Sequence, residues 1–333
     1  VNRSGGDLIR VDHGSVIDDN YSVQVVSVSG DELQSVQGIT FYKQDGVWYG
    51  LVSSSGGDFY RLTFSGGLTS PILSTSLGQF DGRANFGELS IIEESGSIYG
   101  LTVGSTDQLL ILDFGNSLTN TPGYTYHTLT GGNILYGLSL MRTCNGWEGL
   151  VTGYNSGIHK LELDDMTSSP VFTSITTGIS TPRGIDLIED GGMYYGLVVS
   201  QGSSNVYKLG FGVDVATTTP IVTNLGTYGV ISSPIGSDYV LTSAGSLLFT
   251  AGFSNKKLQV IDFERTCDLE VLTTSTPEVS YSNSGNYNIT IRGYTSTGAM
   301  SSKTKSITVT SSTAPDIDFT VDDSRCVTNS NTF

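Results

Sequence analysis

Charged residues are scarce in this chain of 333 residues, at 14%, and basic residues are the scarcest of them. There are 16 Lys and Arg against 32 Asp and Glu, which gives a formal net charge of -16. Such a surface repels nucleic acid and anionic membranes, so a nucleic-acid-binding function is excluded. Helix-forming Ala, Lys and Glu are also rare, whereas Gly, Ser, Thr, Val, Ile and Tyr are common, and this balance favours strands and turns.

Cysteine and histidine number only three each, and their positions fit no zinc motif. The odd cysteine count (Cys144, Cys267 and Cys326) is compatible with one disulfide plus a free thiol, or with a partner outside this chain. No apolar stretch is long enough to span a membrane, and the first residues carry no signal peptide. The sequence also lacks a Gly-x-Ser-x-Gly elbow, a P-loop, an HExxH motif and an EF-hand loop.

A repeat of about 50 residues dominates what is present. An aromatic-Gly-Leu phrase recurs with its glycine at Gly50, Gly100, Gly149 and Gly196, where Glu148 replaces the aromatic residue once. A second type of strand recurs at the same period and itself ends at a Phe or Leu. A third type begins with a glycine, at Gly38, Gly87, Gly137, Gly184 and Gly236. Several short strands per unit at this period predict an all-β fold, a β-propeller with four-stranded blades.

Counting the strands predicts six blades. The chain enters the propeller at the third strand of a blade, four complete units follow, and the last unit supplies three strands up to Phe263. Residues upstream of this sequence would complete the first blade and close the ring, and a further upstream unit would make the ring seven-bladed. The predicted domains are a propeller over 1–263, a sandwich over 264–312 and the truncated start of a second sandwich over 313–333. The chain is therefore expected to be part of a longer multidomain protein.

The segment after the propeller resembles the PKD domain, an immunoglobulin-like β-sandwich. The similarity lies in residues 277–309, in the pattern Pro-x-x-x-Tyr, Gly-x-Tyr-x-Ile-Thr-Ile and Lys-x-Ile-x-Val. The Trp-Asp-Phe-Gly-Asp-Gly stretch of that family is absent. The repeat from Pro182 to Gly196 is similar to propeller repeats in large secreted Bacteroidota proteins with PKD modules and type 9 (gliding-associated) sorting. The resemblance implies an extracellular, cell-surface adhesin type.

Acidic pairs are the only candidates for catalysis or metal binding. Glu93-Glu94, Asp164-Asp165, Glu189-Asp190 and Asp322-Asp323 fall at strand ends or turns, where they are expected to be solvated. A glycosidase needs two carboxylates facing one cleft, and the sequence shows no such set. Calcium is the one cofactor considered, with candidate sites at Asp164-Asp165 and at Asp316 and Asp318 beside Asp322-Asp323.

The residue just before the glycine that opens the third type of strand differs from blade to blade, as is expected of a binding face. If these strands are innermost, Gln37, Phe86, Tyr136 and Arg183, with Ile235, ring one mouth of the central channel. Arg183 is the strongest candidate, because a guanidinium in an acidic protein can hold the carboxylate of a sugar acid. An unconstrained surface or a local ion pair of Arg183 with Asp186 or Glu189 would leave the same pattern.

Three functions are left open by these observations. The first is a non-catalytic surface module, not an enzyme, whose propeller binds a glycan or a cell-surface protein and whose PKD-like domains form a stalk. The second is a secreted polysaccharide-active enzyme, lyase or hydrolase, that uses the channel mouth. The third is a structural element of a surface filament. The lack of a catalytic set favours the first.

Overall fold

The computed structural model describes residues 8–12, 22–104, 107–143, 146–190, 192–215, 218–228, 232–241, 246–255, 257–263, 285–294 and 300–309. In this part of the chain all regular elements are β-strands. Two short strands come first, and a third joins the first blade: β1 (Leu8–Asp12), β2 (Ser22–Val26) and β3 (Val28–Gly30). None of the described elements is a helix that could span a membrane.

The chain then forms a five-bladed β-propeller of antiparallel blades, whose first strands all contribute to one pocket. Four blades have four strands in simple up-and-down order: β4 (Val36–Gln44), β5 (Val47–Ser54), β6 (Asp58–Phe64) and β7 (Ile72–Gln79); β8 (Phe86–Glu94), β9 (Ser97–Gly104), β10 (Gln108–Asp113) and β11 (Gly123–Thr128); β12 (Leu135–Thr143), β13 (Gly146–Gly153), β14 (Gly157–Leu163) and β15 (Val171–Ile175); β16 (Pro182–Asp190), β17 (Met193–Ser200), β18 (Val206–Gly212) and β19 (Ile221–Gly226). The fifth blade has three described strands: β20 (Pro234–Leu241), β21 (Ser246–Gly252) and β22 (Lys257–Phe263).

The blade count is five, so the prediction of six blades is wrong. The sixth was inferred from the two N-terminal strands, which were interpreted as half of a blade. Among the described residues β1 and β2 form a two-stranded sheet of their own, and Leu8 and Val26 pack against the core of the first blade. Two strands without inner partners do not make a blade. β3 instead pairs in parallel with β7 and extends the first blade to five strands.

The hydrophobic cores lie between blades rather than within them. One cluster joins the first and second blades, another the second and third, and two more join the third to the fourth and the fourth to the fifth. The second strand of each unit supplies much of this surface, since every residue of β13 is buried. Because both faces of a blade are covered, its middle strands are almost continuously apolar.

Local sequence explains the tight turns and the glycine of the recurring phrase. Asp45 and Gly46 both have positive φ, 48° and 83°, which is the requirement of a type I′ hairpin. A Cβ built on Gly100 would lie 2.6 Å from Cδ2 of Leu51. This glycine therefore lets a leucine of the preceding blade pack on the backbone.

Beyond the propeller the described residues form one hairpin. β23 (Gly285–Tyr294) and β24 (Met300–Val309) are antiparallel, and Gly285 is paired with Val309. They fall on two of the strands expected within 264–312. Residues 264–284 and 310–333 lie outside the described residues, as do all three cysteines, so the sandwich modules remain predictions.

Candidate functional site

The first strands of the blades, β4, β8, β12, β16 and β20, lie innermost and contact one another in series. Each has a register shift near its start, which turns the first residues away from regular pairing. Side-chain hydroxyls join neighbouring blades here. The backbone N–H of Gly38 donates to Ser53 Oγ at 3.1 Å, and Ser53 Oγ donates to the carbonyl of Gly87 in the next blade at 2.7 Å. Thr152 bridges Gly137 and Arg183 in the same way.

A small pocket, with a volume of about 30 Å³, opens where these five strands converge. All five blades contribute to its lining: Gln37, Gly87, Glu88, Tyr136, Arg183 and Ile235. Of the predicted rim residues, the structure therefore brings together Gln37, Tyr136, Arg183 and Ile235. It does not bring Phe86 there.

Phe86 lies in the core between the first two blades. It is 1% exposed, and its ring centroid is 5.1 Å from that of Phe59. The prediction placed it one residue out of register, because Gly87 was taken for the repeated glycine of the second blade.

The strand pairing shows which residue takes the glycine's place. Ile91 faces Gly100 just as Phe41 faces Gly50 in the first blade. Counting back three residues gives Gly38 in the first blade and Glu88 in the second. A further match is that Thr102 Oγ1 donates to the Glu88 carbonyl at 2.8 Å, as Thr250 Oγ1 does to that of Gly236 at 2.9 Å. Glu88 therefore replaces the glycine that the other four blades have: Gly38, Gly137, Gly184 and Gly236.

The Glu88 side chain reaches across the channel. Its carboxyl group accepts hydrogen bonds from the backbone N–H groups of Leu138, in the third blade, and Ser237, in the fifth. A Cβ built on Gly236 would lie 3.5 Å from Glu88 Oε1. Burial raises the pKa of Glu88 well above its usual range, and the nearby carboxylate of Asp186 raises it further.

Asp186 and Asp238 add two more carboxyl groups from the fourth and fifth blades. Ser237 Oγ donates to Asp186 Oδ2 at 2.6 Å, and the Tyr239 N–H donates to Oδ1 at 3.2 Å. Burial raises the pKa of Asp186 to about 6 and also raises the pKa of Asp238. Asp238 is exposed as a residue, but the atoms packed around its carboxyl group still disfavour the ionised form.

Glu88 and Asp186 are held by the same serine, which limits their separation. The Ser237 N–H binds the first carboxyl group, and the Ser237 hydroxyl binds the second. With ordinary hydrogen-bond lengths, the two groups are no more than about 9 Å apart. The two carboxyl groups are therefore neighbours: Glu88 lines the pocket, and Asp186 is bonded beside it to the fifth blade.

Arg183 is held rigidly at the pocket wall. Its guanidinium carbon lies 3.6 Å from the centroid of the Tyr136 ring and 5.6 Å from that of Tyr154. Its Nε donates to Gln201 Oε1 at 2.8 Å. A guanidinium fixed by stacking and by a hydrogen bond is well suited to bind a planar anionic group, because little side-chain entropy is left to lose.

The acidic pairs that the sequence singled out have local roles. Glu94 accepts hydrogen bonds from Trp147 Nε1 at 2.8 Å and from the Met166 N–H at 2.9 Å. Asp165 accepts two bonds from Thr167, both 2.7 Å long, within its own turn. In the part of the chain that the structure describes, no three or more His, Cys, Asp or Glu side chains form a group that could hold a metal ion. The candidate calcium ligands after 313 lie outside it.

Sequence reasoning missed Glu88, Asp186 and Asp238, although the repeat contains a signal for them. Two positions after the glycine, or after Glu88, the blades have a small hydroxyl side chain three times and an aspartate twice: Thr40, Ser90, Ser139, Asp186 and Asp238. The signal becomes visible only when the second blade is aligned through Glu88.

No known protein family matches the chain, and no curated protein matches it in sequence. Solved structures do match. The nidogen/laminin complex is similar to 78% of this chain over 91% of its own, with 12% identity and a TM-score of 0.51. An exo-β-1,3-galactanase from Phanerochaete chrysosporium, crystallised with β-1,3-galactotriose, is similar to 81% of this chain over 74% of its own, with 8% identity and a TM-score of 0.50.

A GH43 β-xylosidase/α-arabinofuranosidase from a compost metagenome is also among the matches, with 11% identity, a TM-score of 0.45 and coverage of 72% of this chain and 94% of its own. At these identities the similarity shows the fold alone. A glycoside hydrolase, the galactanase, is thus among the solved structures that share this fold, and this finding contradicts the expectation of a non-catalytic binding module. The prediction that the chain is not an enzyme is corrected accordingly.

Proposed function

We propose that this propeller is a glycoside hydrolase that cleaves a polysaccharide or oligosaccharide at the pocket of the central channel. The observation that carries the proposal is the pairing of Glu88 with Asp186 on Ser237. Glycosidases need two carboxyl groups at one cleft, one protonated and one ionised, and different surroundings create that difference. The galactanase and xylosidase among the structural matches act on such substrates.

The surroundings assign a role to each carboxyl group. Burial raises the pKa of Glu88 well above its usual range, so we assign the proton to Glu88, and we assign the charge to Asp186, whose carboxylate accepts bonds from the Ser237 hydroxyl and the Tyr239 N–H. Glu88 is then the general acid, which donates its proton to the glycosidic oxygen as the bond from that oxygen to the anomeric carbon breaks. Asp186 is the general base, which takes a proton from the water whose oxygen bonds to the anomeric carbon.

The pocket walls supply binding groups for a sugar. Tyr136 offers an aromatic face, Gln37 an amide and Arg183 a cation, and all three line the pocket. We extend the proposal to a substrate that contains a uronic acid, because Arg183 matches its carboxylate in charge and shape. A secreted, cell-surface setting with PKD-like modules completes the proposal and is supported by the sequence resemblance described above.

Measuring the release of reducing sugars from neutral and uronic-acid polysaccharides tests this function. We expect hydrolysis that rises as the pH increases through about 6, where Asp186 ionises, and that falls when Glu88 loses its proton. Glu88→Gln and Asp186→Asn should each reduce the rate at least about 100-fold. Glu93→Gln, on the same strand but outside the pocket, is the matched control and should keep full activity.

Two results would refute the proposal. One is the absence of hydrolysis on the whole panel with a folded protein. The other is a rate that both carboxyl variants leave unchanged. Loss of activity on uronic-acid substrates alone in Arg183→Ala would support the substrate class, and equal losses on neutral substrates would contradict it.

A further inference from the structure

Ser237 differs from every equivalent residue in the repeat. The position directly after the glycine, or after Glu88, is aliphatic in the other four blades: Ile39, Leu89, Leu138 and Ile185. Three of these are buried in the cores between blades, at 7%, 3% and 2% exposure. A serine in this place gives up the apolar burial that a leucine or isoleucine would contribute.

The neighbouring residue of the fourth blade, Gly184, also has to leave room for Ser237. A Cβ built on Gly184 would lie 2.4 Å from Ser237 N and 2.7 Å from Ser237 Oγ. The backbone of the fourth blade can therefore come this close to the serine only because residue 184 has no side chain. This close approach brings both hydrogen-bonding groups of Ser237 against the fourth blade.

The hydroxyl and the N–H of Ser237 each donate a hydrogen bond to a carboxyl group. The hydroxyl donates to Asp186 Oδ2 at 2.6 Å, a length typical of a charge-assisted O–H···O⁻ bond. The N–H donates to the Glu88 carboxyl group. The two bonds differ in one respect that can be tested: substitution can remove the hydroxyl, whereas the N–H belongs to the backbone and stays.

We propose that Ser237 is a positioning residue that orients both channel carboxyl groups and determines which of them releases its proton first. This inference rests on the proposed hydrolase function for its catalytic meaning, but its physical content does not need a substrate. The hydroxyl favours the ionised form of Asp186, because a donor stabilises negative charge on the atom that accepts its bond. It thereby opposes burial and the neighbouring carboxylate of Asp238, which both raise the pKa of Asp186.

The experiment follows the titration of the Asp186 carboxyl carbon by ¹³C NMR in the full chain, for the wild type and three variants. Ser237→Ala should raise the titration midpoint by about one pH unit, since a hydrogen bond to a charged group is worth about that much. Ser237→Thr keeps a hydroxyl and should restore the midpoint. Ser246→Ala is the matched control: Ser246 bonds Tyr239 Oη at 2.8 Å in the same sheet but touches neither carboxyl group.

Activity is the second measurement. In Ser237→Ala the acidic limb of the pH–rate profile should move upward together with the NMR midpoint, and the rate should fall about tenfold at pH values below that limb. An unchanged Asp186 midpoint in Ser237→Ala, or an equal shift in Ser246→Ala, would overturn the inference. A shifted midpoint in a chain that hydrolyses nothing would support the positioning of the carboxyl groups and would refute the proposed function instead.

Discussion

Replacement of Asp186 by asparagine should stabilise the fold, and the gain should grow with pH. Burial raises the pKa of Asp186 from 3.8 to about 6 in the folded chain. Between these two values the folded protein binds more protons than the unfolded one, so the free energy of unfolding decreases as the pH rises. The wild type therefore loses stability from about pH 4 upward, and the loss is complete above about pH 6.

The magnitude follows from the size of the shift. A difference of about two pH units in the pKa corresponds to about 3 kcal/mol, which is an upper value because channel water screens part of the charge. Asparagine has nearly the same shape. Its amide can still accept the bond from the Tyr239 N–H, and its NH₂ group can donate to Ser237 Oγ. The variant thus removes the charge with little change in packing.

Urea unfolding at pH 4 and at pH 8 measures the effect. We expect Asp186→Asn and the wild type to differ by less than about 1 kcal/mol at pH 4 and by about 2–3 kcal/mol, in favour of the variant, at pH 8. Asp113→Asn is the control for an amide in place of an exposed carboxylate outside the channel. A gain that is the same at both pH values, or a loss at pH 8, would refute the reasoning that this carboxylate is held in the channel at the expense of stability.

Three further substitutions test separate parts of the structure. Glu88→Gly restores the repeat glycine; it should abolish hydrolysis yet leave the melting temperature unchanged or higher, and a lower melting temperature would show that the carboxyl group is needed for folding. Lys160→Met should cost about 3–5 kcal/mol in urea unfolding, because Nζ lies 3.2 Å from Glu148 Oε1 and both side chains are buried, and the double variant with Glu148→Leu should recover much of the loss. Gly100→Ala should cost about 1–3 kcal/mol, since its Cβ would meet Leu51, and Leu51→Ala in the same chain should relieve part of that cost.

The period of the repeat was sufficient to predict the propeller and the strand order within a blade, because turn residues and apolar strands recur together. It also placed Gln37, Tyr136 and Arg183 at the channel. The blade count failed because the sequence of a strand does not state its partners: β1 and β2 look like blade strands but pair only with each other among the described residues. The prediction for Phe86 failed for a similar reason. The register shift near the start of β8 decides whether a side chain is buried or lines the channel, and it cannot be read from the sequence.

The channel carboxyl groups were beyond a search for acidic pairs, because each belongs to a different blade. Along the chain, Glu88, Asp186 and Asp238 are each separated by more than 50 residues, and only the closure of the blades into a ring brings them together. Their raised pKa values arise from burial by neighbouring blades, which no local stretch of sequence contains.

The glycines that surround Glu88 have a consequence for how such a site can arise. Four blades have a glycine at the level of Glu88, and the long side chain of Glu88 extends until Oε1 lies 3.5 Å from where a Cβ on Gly236 would be. At Gly38, Gly137 and Gly184 a Cβ would instead lie 2.3–2.4 Å from backbone atoms of the next blade. A duplicated blade that packs on the next one in this way has to keep its glycine there, which limits the places where a long side chain can enter the channel.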